Sequence, residues 1–284
     1  MKDFRGFPPE LFTFFEELEK DNSKSFSDAH KPVWEEQVRA PMRALLDELA
    51  EEFGQLRMFR PNRDVRFSKD KSPYKLWVGA TSESRAVGGT GYYIEVSATR
   101  LITGFGAMLM ARDQLERFRA AIDDEQSGRA FEMLAAESLP ITSGIEPPLK
   151  TGPRGYPSDH PRTKFLRWKG AAIVQEYDRA DWMHSSEALE RIRTIWRGAA
   201  PLKAWLDAHV GSIRDTRQIT GDQRPTSPDR AAHREDQLRT TGRARVHRRS
   251  SRRRAFSNSG SLARGFRCSH QDDRRHLRPH RRRD

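Results

Sequence analysis

The densest cluster of chemically capable side chains is the run RDVRFSKDKSPYK, from Arg63 to Lys75. It contains five cations, Arg63, Arg66, Lys69, Lys71 and Lys75, with two carboxylates, Asp64 and Asp70, and the phenol of Tyr74. Arginine grips a phosphate or carboxylate through paired N–H bonds and lysine acts as a point charge, so several on one turn can converge on an anion. The same run also reads as a surface loop in which each aspartate neutralises a neighbour. On charge pattern alone that second reading is the stronger. Alternation over Arg63 to Phe67 predicts a strand, and SKDKSPYK a turn, with Pro73 closing any regular element.

Other motifs are weaker. Ser68-Lys-Asp-Lys71, Ser72-Pro-Tyr-Lys75 and Lys150-Thr-Gly152 together match the S-x-x-K and K-T-G spacings of penicillin-interacting serine enzymes. Their context argues against that chemistry, because a proline and a coming strand follow the first motif and prolines flank the second. Asp159, His160, Asp178, Asp181 and His184 offer oxygen and imidazole donors without a recognised metal-binding spacing, so no metal site is assigned. His160, inside a proline-rich loop, reads as a solvated or bracing histidine, and His30 and His209 as surface or boundary residues on helices. VGGTG precedes a strand rather than a helix, which makes it a hairpin turn and not a phosphate cradle.

The elements that must position these groups follow from periodicity. PPELFTFFEELEK, residues 8 to 20, predicts a helix with Leu11, Phe14, Phe15 and Leu18 on one face. A polar loop, DNSKSFSD, comes next. A second helical stretch then runs to Gly54, kinked or divided at Pro41. LWVGATSES, GYYIEVSA and RLITGFGAMLM predict successive strands, Tyr92, Ile94 and Val96 alternating against Tyr93, Glu95 and Ser97. Helical spacing returns with Leu115, Phe118, Ala121 and Ile122, where Asp113 and Glu116 suit a capping box. Residues 145 to 161 carry five prolines and predict an ordered loop or lid. AAIVQEY predicts a further strand, and SEALERIRTIWRGA and PLKAWLDAHV two closing helices, with Pro201 in a first turn. Trp34, Trp168, Trp182, Trp196 and Trp205 are expected on helices, packing the core. The fold class is α+β, a single domain over residues 1–210 with a mainly antiparallel central sheet flanked by N- and C-terminal helices.

Charge separates the remainder. The chain of 284 residues carries +12, and residues 211–284 alone carry +13, from 21 Arg, no Lys and 8 Asp and Glu. The body is electrically ordinary, so the basicity gives it no nucleic-acid signature. Residues 211–284 are expected to be a disordered Arg-rich tail, for want of an apolar face to bury. Arginine without lysine also fits a frame-shifted reading of a GC-rich gene, which an intact mass of the cellular protein would test. The lone cysteine, Cys268, lies in this tail, leaving the body without a disulfide framework. Neither a membrane-length apolar run nor a signal-peptide core is present, so a cytoplasmic location without membrane contact is expected.

The run RDVRFSKDKSPYK resembles the signature of an uncharacterised bacterial and fungal family known as domain of unknown function 2461. FPPELFTFFEELEKDNSKSF is similar to that family's opening, GYYIEVSATRLITGFGAML to its central strands, and LKTGPRGYPSDHP with LRWKG to its later loop. PLKAWL is similar to its closing helix, so the resemblance covers about residues 4 to 208. Family members carry a Trp-Phe pair where this chain has Ser25-Phe26, and the tail has no counterpart. The resemblance implies that Arg63, Asp64, Arg66, Lys69, Asp70, Lys71, Tyr74 and Lys75 form one site, faced by Arg154, His160 and Lys169. It names no ligand, cofactor or reaction.

Three functions of different classes fit these observations. The first is a site for a phosphate- or carboxylate-bearing small molecule on the 63–75 turn, where an Asp or His160 would serve as base in any catalysis. The second is non-specific nucleic-acid binding by the tail or the 63–75 cluster, in the tail without base stacking, since Phe256 and Phe266 are its only aromatics. The third is a structural or interaction domain in which Arg63 to Lys75 is an ion-paired brace.

Overall fold

The computed structural model describes residues 3–66, 68–82, 87–137 and 139–214. The tail beyond Arg214, with Cys268, and the side chain of Phe67 lie outside the described residues.

The chain opens with helix α1, Pro9–Lys20, which buries Leu11, Phe12, Phe14, Phe15 and Leu18. The segment read as a polar loop contains a short helix instead, α2, Lys24–Ala29. Ser23 starts it by accepting the Phe26 N–H at 3.1 Å, and a good N-cap lets a polar run turn helical. The second long helical stretch begins as α3, Lys31–Val33, widens to a π-helix over Trp34–Arg39 and continues as α4, Ala40–Phe53. Pro41 neither breaks nor ends it. The wider turn lies just before the proline, and the Ala40 N–H reaches back to the Glu35 carbonyl, five residues away.

Six antiparallel strands form one sheet in the order β1-β2-β3-β4-β6-β5. These are β1 Arg57–Met58, β2 Trp77–Thr81, β3 Thr90–Ser97, β4 Arg100–Ala107, β5 Ile141–Thr142 and β6 Ala171–Asp178. The register aligns Val78 with Val96, Ile94 with Thr103 and Phe105 with Ile173, so these side chains share one face. Helix α4 packs against β2 on that face, and α8, Glu187–Gly198, and α9, Ala200–His209, against β4. At its centre the wholly buried Trp196 stacks on Tyr92, meets Phe53 edge-on and donates its indole N–H to Thr103 Oγ1 at 2.8 Å. The other face carries Trp77, Tyr93, Glu95, Arg100, Ile102 and Glu176.

Between β4 and β6 lie α5, Arg112–Asp123, and α6, Glu125–Glu137. The expected Asp113–Glu116 box does not form. Ala111 precedes the helix, and Gln114 Oε1 accepts its N–H at 3.1 Å. The proline-rich loop ends in a single helical turn, α7, Thr163–Leu166, which leads to the buried Trp168. Trp168 follows that turn, and Trp182 sits in a 3₁₀ turn, Asp181–His184, so neither lies on a long helix. Near the start of the chain Gly6, at φ 112°, lets the backbone press on that 3₁₀ turn, where any Cβ would run into the His184 carbonyl group. Phe7 N–H donates to Met183 O there, at 2.8 Å.

Candidate functional site

Residues 61–75 form a long excursion between β1 and β2. The expected strand over Arg63–Phe67 is absent among the described residues; an isolated bridge between Asn62 and Tyr74 closes the base of the loop. Backbone bonds from Arg63 N–H to Pro73 O and from Lys75 N–H to Pro61 O, both 2.8 Å, flank the bridge. Inside the loop, aspartates occupy the backbone themselves. Asp64 Oδ1 accepts the Arg66 N–H at 3.3 Å, and Asp70 Oδ1 accepts the Ser72 N–H at 2.9 Å and its hydroxyl at 2.6 Å. Such local side-chain bonds compete with a strand ladder, and here they win.

The loop's two carboxylates also engage its two arginines. Arg63 Nη1 donates to Asp70 Oδ2 at 2.5 Å, and Arg66 donates to both oxygens of Asp64, the closest contact 2.6 Å. Hydrogen bonds from the Ser72 hydroxyl, then from Arg63, bring the Asp70 carboxyl down to about 2. The Arg66 side chain does the same for Asp64, also to about 2. Lysine supplies the loop's surplus charge. Lys69 is exposed, Lys71 donates to Val65 O at 3.0 Å, and Lys75 Nζ donates to Arg60 O at 2.5 Å and Asn62 O at 2.7 Å. Burial, then the charge of Arg63, holds the Lys75 ammonium below the usual lysine range.

Lys75 and Tyr74 line a cleft of about 50 Å³ between the loop and the N-terminal helices. Phe14 and Leu18 of α1, Ser27 of α2, Lys31 of α3 and Trp34 complete its wall with Pro61. Trp34 is the first residue of the π-helical turn, and such widened turns gather at functional sites. Asn22 fixes the loop against this wall: its amide donates to Tyr74 O at 3.1 Å and accepts the Tyr74 N–H at 3.0 Å. Sequence reasoning gave Asn22, Lys31 and Trp34 no place in the site, since the signal is tertiary. Phe26 stacks on His30 and tilts against Phe14, which lines the cleft.

Arg154, His160 and Lys169 sit elsewhere. Their loop runs from β5 to β6, and β3 and β4 separate β6 from the strand that the 61–75 loop enters. Each of the latter two has a local partner: His160 Nε2 meets Asp123 Oδ1 at 3.1 Å, and Lys169 Nζ meets Glu146 Oε2 at 2.7 Å. Arg154 is exposed on the same loop. His160 Nδ1 accepts the Arg162 N–H at 3.0 Å, so both ring nitrogens are engaged and the residue braces the loop. The S-x-x-K spacings place no lysine on a serine: Ser72 donates to Asp70, and the Lys75 ammonium addresses backbone carbonyls.

Sequence reasoning also passed over Arg162, which is 5% exposed. Its guanidinium donates to the last carbonyls of α5, Ile122 O at 2.6 Å and Asp123 O at 2.9 Å, and to Glu125 at the start of α6. No spacing rule marks such a residue. Glu95 is 2% exposed on the second face of the sheet, a burial that its polar position in an alternating strand does not signal.

The sequence profile of a conserved hypothetical protein family, DUF2461, matches residues 10–205. The chain belongs to that family. The match spans α1 to α9 and includes both the 61–75 loop and the helices opposite it. No curated protein matches the chain. Among the described residues, no helix of this DUF2461 protein is long and apolar enough to cross a membrane, and no group of three or more His, Cys, Asp or Glu is placed to hold a metal ion.

Proposed function

We propose that this DUF2461 protein binds the anionic group of a small molecule, a phosphate or carboxylate, in the cleft beside the Arg63–Lys75 loop. Lys75 carries the reading. Its ammonium is half-buried among backbone carbonyls at the wall of an aromatic-lined cleft, and Lys31 stands on the same wall. A desolvated cation gains most from an anion brought within reach. Tyr74 and Trp34 supply flat apolar surface for the rest of the ligand. Arg63, Arg66, Asp64 and Asp70 act in this reading as the brace that shapes the loop, and Lys69 and Lys71 add positive potential at its tip.

The test is a thermal-shift titration of the full chain with sodium phosphate and a panel of phosphorylated sugars and organic acids, each against sodium chloride at equal ionic strength. Stabilisation lost in both Lys75→Met and Lys31→Met supports the site; stabilisation unchanged in both removes it. Because every variant retains the Arg-rich segment, non-specific attraction there cancels. The ion pairs Arg63–Asp70 and Arg66–Asp64 favour a second reading, a structural domain in which the loop only braces sheet to helix. Under that reading Arg63→Ala lowers the melting temperature of the ligand-free protein, and no compound in the panel restores it.

A further inference from the structure

The second face of the sheet centres on Glu95. Its neighbour across the strand pair on β2 is Gly79, and on β4 it is Ile102. The Trp77 ring leans over Gly79, where a Cβ would come within 3.2 Å of it, and Phe59 packs edge-on against Trp77 and tilted against Tyr93. Tyr93 donates its hydroxyl to Glu95 Oε2 at 2.5 Å. Glu95 Oε1, buried, has no hydrogen-bond partner among the described residues. Among the described residues, Arg100 of β4 and Glu176 of β6 face it, paired with each other at 2.9 Å, and Lys75 Nζ lies over the Trp77 ring, 5.5 Å from its centroid. A buried carboxyl oxygen left unmatched is costly, and a ligand atom that reached it would relieve that cost.

We propose that this face carries a second ligand site in which the Glu95 carboxyl pairs with the amide edge of a small, neutral, planar molecule seated against Trp77 and Phe59. Burial raises the Glu95 pKa, outweighing the Tyr93 hydrogen bond and the Arg100 charge, and so favours the acid form. In that form Oε1–H donates to the ligand's carbonyl oxygen. The ligand's N–H donates to Oε2, whose second lone pair is still available beside the Tyr93 bond. A carboxylate ligand is disfavoured, because its charge would be buried beside the Glu95 carboxyl itself. The aromatic wall selects a flat body. This site borders the Lys75 cleft, since Lys75 Nζ lies over the Trp77 ring, and it takes a neutral ligand where that cleft takes an anion.

Isothermal titration of the full chain with benzamide tests the proposal, the probe being uncharged and so indifferent to the Arg-rich segment. Wild type binds at acid pH and weakens by on the order of tenfold per pH unit once Glu95 ionises. Glu95→Gln, which keeps one donor and one acceptor, binds without that dependence, and Glu95→Ala loses at least about tenfold, the size of one hydrogen-bonded pair. A wild-type affinity that is flat with pH overturns the proposal. So does undiminished binding by Glu95→Ala, or no binding by folded wild type at any pH. If Glu95→Ala does not fold, the contrast between wild type and Glu95→Gln decides alone.

Discussion

Arg162 and Glu95 are both buried ionisable groups, and their surroundings treat them in opposite ways. Arg162 finds two helix-end carbonyls and two carboxylates, Glu125 and Glu132, so its charge is fully engaged. Gly128 leaves it room, since a Cβ there would come within 2.6 Å of Arg162 Nε. Lysine cannot reproduce the planar fork that serves both carbonyls. Arg162→Lys should therefore cost about 2 kcal/mol and Arg162→Ala about 3 kcal/mol, read from urea midpoints. Glu95 has, among the described residues, one hydrogen bond, from Tyr93, and its burial raises its pKa despite the charge of Arg100. Below the unfolded-state value near 4.5 the carboxyl is protonated in both states and costs nothing extra. As pH climbs through the raised folded value, the folded state must ionise a buried group, and stability is lost. Melting temperatures of wild type should fall over that window, whereas those of Glu95→Gln should not. Parallel pH profiles for the two proteins would mean that Glu95 is ionised throughout.

At the scale of elements, the 61–75 loop is tied to the N-terminal helices through the Asn22 amide rather than through a strand ladder, so its opening is tunable. Asn22 replaces a strand partner for Tyr74, and Asn22→Ala removes two bonds at once, an expected loss of about 1–3 kcal/mol. Hydrogen exchange in residues 61–75 should rise more than exchange in β3 and β4. Acid should open the same loop: Asp70 contributes fully above its ordinary value of 3.8, and that contribution disappears as pH falls through about 2. Exchange in the loop measured between those limits should increase in wild type and already be high in Asp70→Asn. The sequence revealed the loop's composition and its end at Pro73, because charges and a proline are written in one short run, but its alternation suggested a strand where the aspartates take the backbone instead. Its partners could not be read there. Asn22 is 52 residues from Tyr74, and only the folded chain joins them. The same reason separates Lys169 from the cluster that the family signature suggested it would face. Strand order is a tertiary fact, and two strands come between them. The helices and long strands were legible because a 3.6- or two-residue period survives in local sequence. Strands β1 and β5, of two residues each, have no period to detect.

For the whole molecule the question is where the folded body stops. Residues 211–214 continue past α9 into a groove beside α5. Gln114, wholly buried, donates through its amide to Gly88 O at 3.1 Å and to Gly211 O at 2.7 Å. Arg117 donates to Val210 O and Ser212 O, and the Arg214 N–H donates to Asp113 Oδ2 at 2.8 Å. Ile213 fills the space over Gly88, where a Cβ would come within 2.6 Å of it. The α5 face that loses periodicity to polar residues is thus the face that receives this segment, and the described contacts run past Val210, where the apolar pattern ends. A chain ending at residue 214 should melt with the full-length protein. One ending at residue 210 leaves the buried Gln114 donor unmatched and should lose about 2 kcal/mol, roughly 4–8 °C for a body of this size. The same pair separates fold from charge, since residues 215–284 hold 20 Arg against 8 Asp and Glu and residues 1–214 are net neutral. Retention on a heparin column, steeply weakened by salt, should belong to the full chain alone. If the chain ending at 214 is retained as strongly, the lysines of the 61–75 loop bind polyanions by themselves, and the Lys75 cleft becomes the place to look for them.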